Sequence, residues 1–154
     1  MKSYVFTSVI RGGIFDVKPV VLEAMAFIEE HAPQLNESDG HEIKLVICEL
    51  LFNAVIHGNK SDIRKKVSFS LMIERSGDEA FVSGSITDEG CGFDHKAVMR
   101  DMNSREAIMR ENGRGVKLAY ELTNQLAYNP AGNSVSFRKK LAAKAFAEAV
   151  LANV

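Results

Sequence analysis

Glu49, Asn53 and His57 recur every fourth residue within an apolar helical pattern, so a carboxylate, an amide and an imidazole share one helix face. A carboxylate in that position can orient or deprotonate a hydroxyl nucleophile. An amide oxygen one turn on can serve Mg²⁺, which takes one or two protein oxygens beside phosphates and water. Polar residues on a helix face are more often simply solvated. This face therefore acquires meaning only from what else converges on it.

Two glycine-rich stretches supply candidates. Asp88-Glu89-Gly90-Cys91-Gly92-Phe93 follows a β-rich run, and glycines two apart allow backbone to approach a ligand closely. Asp88 at the strand end can accept a hydrogen bond from an exocyclic amine. Gly113-Arg114-Gly115-Val116 precedes an apolar helical pattern, where free N–H groups and the positive dipole end attract phosphate. Each stretch taken alone is equally consistent with an ordinary turn or loop end. Neither is a dinucleotide fingerprint, since His95 stands where a third glycine belongs, and no P-loop signature occurs in the chain.

The elements that must position these residues can be traced along the chain. Tyr4 to Ile10 alternates as a short strand. A helix begins near Pro19 and fades at Ala32-Pro33, because a residue before proline resists helical geometry. After a polar turn with Ser38 and Asp39 as N-cap candidates, Ile43, Val46, Ile47, Leu50, Leu51, Ala54 and Val55 mark a helix over 41–57, closed by Gly58. Residues 65–75 and 80–87 read as an antiparallel hairpin. Val116 to Leu126 reads as a helix, Leu126–Tyr128 and Val135–Arg138 as a second hairpin, and Ala142 to Leu151 as an Ala-rich helix. Hairpins alternating with helices favour an α+β two-layer sandwich, with a mixed, mostly antiparallel sheet and helices on one face.

Composition narrows the class. The chain has 154 residues, 46% hydrophobic and 25% charged, which fits one globular domain over 1–154 rather than a disordered segment. Its 19 basic and 20 acidic residues give a net charge of -1, with no pull toward nucleic acid. Cys48 and Cys91 belong to no ligand-spaced cluster, so neither a zinc site nor a disulfide framework is expected. The absence of a signal peptide and of an apolar run near ~20 residues leads to the expectation of a cytoplasmic protein without membrane contact.

The combination of an N-box helix, D-x-G-x-G after a strand and G-x-G at a helix resembles the GHKL ATP-binding fold over about Tyr4 to Phe137. Glu49 to Gly58 (E-x-x-x-N-A-x-x-H-G) is most similar to the anti-sigma-factor serine kinases of the RsbW and SpoIIAB type. The resemblance implies ATP and Mg²⁺ as cofactors. Glu49 would be the general base, Asn53 the Mg²⁺ ligand and Asp88 the adenine contact. Gly90, Gly92, Phe93, Gly113, Arg114, Gly115 and Val116 would line the nucleotide. Residues 94–112 would form an ATP lid with Arg105 or Arg110 as a phosphate contact, and 140–154 a helical extension. It further implies phosphorylation of a STAS-type anti-anti-sigma protein, sequestration of a sigma factor, and a homodimer. The alternatives are a non-catalytic ATP-dependent protein-binding module and a detached histidine-kinase ATPase domain.

Overall fold

The computed structural model describes residues 1–11, 13–94, 96–97 and 111–142, with backbone alone at 111–113. Five strands form one sheet in the order β1-β2-β3-β5-β4. They are β1 (Lys2–Ile10), β2 (Val67–Ser76), β3 (Glu79–Thr87), β4 (Gln125–Tyr128) and β5 (Ser134–Lys140). All four pairings are antiparallel, so the sheet is purely antiparallel rather than mixed.

Alternation decides which face is buried. In β2 the residues Val67, Phe69, Leu71 and Ile73 point inward, and in β3 Ala80, Val82 and Ile86 do the same. The register pairs Ile73 with Val82 and Phe69 with Ile86, so the apolar sets of neighbouring strands lie side by side. β1 follows the same rule weakly at the edge of the sheet, where Tyr4 and Phe6 lean on the core and Val5 stays 64% exposed.

Among the described residues, three helices cover the inner face. α1 (Val17–His31) buries Val17, Val20, Val21, Ala24 and Ile28. α2 (Glu37–Phe52) buries Ile43, Val46, Ile47, Leu50 and Leu51. α3 (Glu111–Leu122) buries Val116 and Ala119 among its described side chains. Full burial of one such aliphatic side chain contributes roughly 1.5–3 kcal/mol, and this continuous apolar layer anchors α2 between α1 and α3.

Several boundaries differ from the sequence reading. α2 begins at Glu37 because Asn36, not Ser38 or Asp39, is the N-cap, its side-chain oxygen accepting from the Asp39 N–H at 2.7 Å. The helix from 41 to 57 does not run straight through. At Asn53–Gly58 the backbone widens, and the Asn59 N–H donates to the Ala54 carbonyl five residues back at 2.8 Å. α3 starts at Glu111, ahead of the glycines, and ends at Leu122 rather than Leu126, leaving Gln125–Tyr128 for a strand. Gly113 and Gly115 are therefore inside the helix, not in a loop before it.

A buried cation ties the layers together at the far end. Lys139 of β5 donates to Glu42 at 2.6 Å and to the Leu122 carbonyl at 3.0 Å, joining α2 and the end of α3. Beyond it the Ala142 N–H donates to Asp39 at 2.7 Å. The expected helix over 142–151 lies, from residue 143 on, outside the described residues, as do Arg105, Arg110 and most of the expected lid. No helix among the described residues is long and apolar enough to cross a membrane.

Candidate functional site

The widened turn after α2, the loop after β3, the turn between β4 and β5, and the body of α3 meet around a cavity of about 290 Å³. Asn53, Gly58, Lys60, Asp88, Phe93 and Asn133 are among its walls, with Leu50, Ile86, Val116 and Val135 as its apolar floor. Of the residues singled out in the sequence, Asn53, His57, Gly58, Asp88, Gly92, Phe93 and Val116 line this space directly.

Asp88 is the most constrained of them. It is 8% exposed, and its Oδ1 accepts from the Gly90 N–H at 2.8 Å while its own N–H donates to the Asn133 carbonyl at 2.9 Å. Burial pushes the Asp88 carboxyl above its ordinary value, against opposing pulls from the Gly90 N–H and the positive charge of Lys65. Tyr128 beside it is shifted further: burial, then the charge of Asp88, raises its phenol well above the usual range. A buried carboxylate at the wall of this cavity is suited to accept a hydrogen bond from a ligand donor.

Gly58 explains how the carboxylate reaches its place. A Cβ at Gly58 would fall on the Asp88 carboxyl group, so only glycine leaves room for it. The sequence reading assigned Gly58 to closing the helix. Its closer constraint is this approach. On the opposite wall, Gly92 (φ 79°) has a left-handed backbone that packs against the Ala131 carbonyl, locking the loop after β3 onto the β4–β5 turn.

Asn129 builds that turn: its Oδ1 accepts from the N–H groups of Gly132, Asn133 and Ser134 at 2.9, 3.0 and 3.1 Å. Asn59 performs the matching task on the α2 side. It is 3% exposed, donates from Nδ2 to the Lys66 carbonyl at 3.0 Å, and accepts the Glu89 N–H at 2.8 Å. The Glu89 carboxylate in turn accepts the Lys66 N–H at 2.7 Å. Sequence reasoning passed over Asn59, Lys60, Tyr128 and Asn133. The only available signal was that two of them flank the glycine turns, because their partners lie 30 to 45 residues away in the chain.

Glu49 and Asn53 are one turn apart as expected, both half-buried. Glu49 faces α3, where a Cβ on Gly115 would come within 2.5 Å of its Oε2, so Gly115 admits the carboxylate between the two helices. Asn53 Nδ2 is buried and has no hydrogen-bond partner among the described residues. A buried donor left unpaired is costly, so Nδ2 is suited to meet a ligand or water oxygen. Gly90 packs on the Gly58 carbonyl, and the Arg114 side chain is exposed. His57 is exposed at the cavity wall, and both cysteines are free thiols.

Among the described residues no three His, Cys, Asp or Glu side chains come together. A cation bound at Asn53 would be held through its Oδ1 and take its other ligands from phosphate and water, the usual manner of Mg²⁺, whereas the unsatisfied Nδ2 is a donor suited to an anionic oxygen.

The sequence profile of the histidine kinase-like ATPase domain matches residues 16–139, from the start of α1 into β5. The chain belongs to that family. The matched stretch of this histidine kinase-like ATPase domain includes every cavity-lining residue named above. The chain is 26% identical over 121 residues to an anti-sigma F factor from Geobacillus kaustophilus (strain HTA426), covering 76% of this chain and 79% of that protein. Its fold is similar to the crystal structure of the RsbU and RsbW domains of a Mycobacterium tuberculosis protein, with TM-score 0.53 and 18% identity. That likeness takes in 90% of this chain and spans 32% of the other.

Proposed function

We propose that this ATPase-family domain binds Mg-ATP in the cavity between α2, the Asp88 loop and α3, and uses it to phosphorylate a serine on a small antagonist protein of the anti-anti-sigma (STAS) class. In this reading the domain also binds and restrains a sigma factor or comparable target, so that phosphorylation of the antagonist decides which partner is held. The similarity to an anti-sigma F factor supports that biological setting.

The observation that carries the nucleotide reading is the convergence of Asn53, Asp88, Gly92 and Phe93 on one cavity, with a buried carboxylate at one wall and an unsatisfied amide at another. Asp88 accepts the exocyclic amine of the base. Phe93 and the floor formed by Leu50, Ile86 and Val135 pack on its faces. Asn53 would hold the Mg²⁺, which supplies charge neutralisation on the phosphates when bound. Catalysis of phosphoryl transfer is mainly positioning and charge stabilisation. The protein's part is to orient the serine hydroxyl: Glu49, one turn before Asn53, takes its proton.

The test is a labelled-ATP transfer assay with purified STAS proteins beside calorimetric nucleotide binding. Glu49→Ala should retain nucleotide affinity and lose label transfer. Transfer by this variant at the parental rate would remove Glu49 from the reaction. ATP-dependent complex formation with no transfer by the parental protein would assign the domain to partner binding alone.

A further inference from the structure

Lys60 lies at the mouth of the same cavity and has no part in the contacts described so far. It is the sole lysine or arginine among the described residues that line the cavity. Its ammonium forms no ion pair among the described residues, although Asp88 lines the same space.

The backbone that carries it is unusual. Lys60 and Ser61 have φ of 53° and 57°, two successive left-handed residues that are not glycine. Glycine would adopt both conformations freely, whereas a side chain with a Cβ meets the following carbonyl. Strain of this kind persists only where the surroundings over-determine it, and it concentrates at ligand sites.

Here the surroundings do over-determine it. The Ser61 N–H donates to the Val55 carbonyl at 2.9 Å, and the Asp62 N–H to the Asn59 carbonyl at 3.0 Å. Arg64 closes the loop on Asp62 through its backbone and both guanidinium donors, each at 3.0 Å, which holds the Asp62 carboxyl down to about 2. Asn59 fastens the loop to Lys66 on one side and Glu89 on the other. The 59–66 loop is thus a rigid rim, clamped to the segment that carries Asp88, and it presents an unpaired cation to the cavity.

We infer that Lys60 is a nucleotide-binding residue that contacts an anionic phosphate oxygen of the ligand. This rests on the nucleotide reading above. The other polar walls are a carboxylate, amides, a phenol and an imidazole, and among the described lining residues only Lys60 offers a fixed positive charge to match a polyphosphate.

The experiment measures calorimetric affinities of the full chain for ATP, ADP and adenosine with magnesium, for the parent, Lys60→Met, Lys60→Arg and Ser61→Gly. Lys60→Met should weaken ATP and ADP about tenfold or more and leave adenosine unchanged, while Lys60→Arg restores most of the loss. Ser61→Gly should raise the thermal midpoint by relieving strain and leave all three affinities as they were. An equal loss for adenosine would place the lysine on the base or ribose and overturn the inference, as would unchanged ATP affinity in Lys60→Met. Failure of the parental chain to bind any of the three would instead overturn the nucleotide reading itself.

Discussion

Gly58 faces the carboxyl group of Asp88 with no space for a single further carbon between them. One residue closes the widened turn after α2 and the other follows β3, so this contact couples the helix layer to the sheet at the cavity. Whatever displaces the carboxylate disturbs the cavity wall it forms.

Gly58→Ala should therefore damage binding and stability together. The added methyl must push the Asp88 loop aside, a change of the overpacking type that costs about 1–3 kcal/mol. Nucleotide affinity should fall at least tenfold, read by calorimetry. Gly77→Ala is the control for an uncrowded glycine: Gly77, unlike Gly58, has a left-handed φ, 58°, and nothing lies within 4 Å of its added methyl. That variant should lose about 1 kcal/mol from backbone strain alone and bind nucleotide as the parent does.

The raised ionisation of Asp88 gives a pH signature. Burial disfavours its carboxylate, so the folded chain holds this proton more tightly than the unfolded chain does. Ionised Asp88 thus costs stability above its folded pKa, and that cost disappears as pH falls through it. Binding has the opposite dependence, because the carboxylate is the acceptor. Affinity for adenosine nucleotides should begin to fall at a pH above the ordinary aspartate value of about 3.9. Asp88→Asn should raise the thermal midpoint at neutral pH, lower affinity at least tenfold, and abolish this acid limb. Melting curves and titrations from about pH 4 to pH 7 check all three.

Asn59 is the third test. One of its two side-chain hydrogen bonds joins the 59–66 loop to Glu89 across 30 residues of sequence, and the other closes the loop on the Lys66 carbonyl. Asn59→Ala removes both and leaves the Lys66 carbonyl and the Glu89 N–H without that partner. The expected loss is about 2 kcal/mol, or a drop of roughly 4–8 °C in Tm. Amide exchange should rise at Glu89 and Gly90 before it rises in the strands, because the loop is released from its bracket ahead of the sheet. Uniform acceleration across the sheet would mean that Asn59 supports the global core rather than the cavity.

Much of this molecule is written in local sequence pattern. The 3.6-residue repeat from Ile43 to Leu51 and the alternation of Val67 to Ile73 and Ala80 to Ile86 fix which faces are buried, because only one face of each element is apolar. Asn53 was legible from its helical spacing after Glu49, and Asp88 and Gly92 from their place at the end of a strand pattern. What pattern could not supply was anything depending on contact across the chain. The widening at Asn53–Gly58 and the N-cap at Asn36 are settled by packing and by hydrogen bonds, not by propensity. Asn59, Lys60, Tyr128 and Asn133 read as ordinary loop and strand residues until the fold brings the end of α2, the end of β3 and the β4–β5 turn to one place. Periodicity is a property of neighbours in sequence, whereas a binding cavity is a property of neighbours in space, and only the tertiary fold converts one into the other.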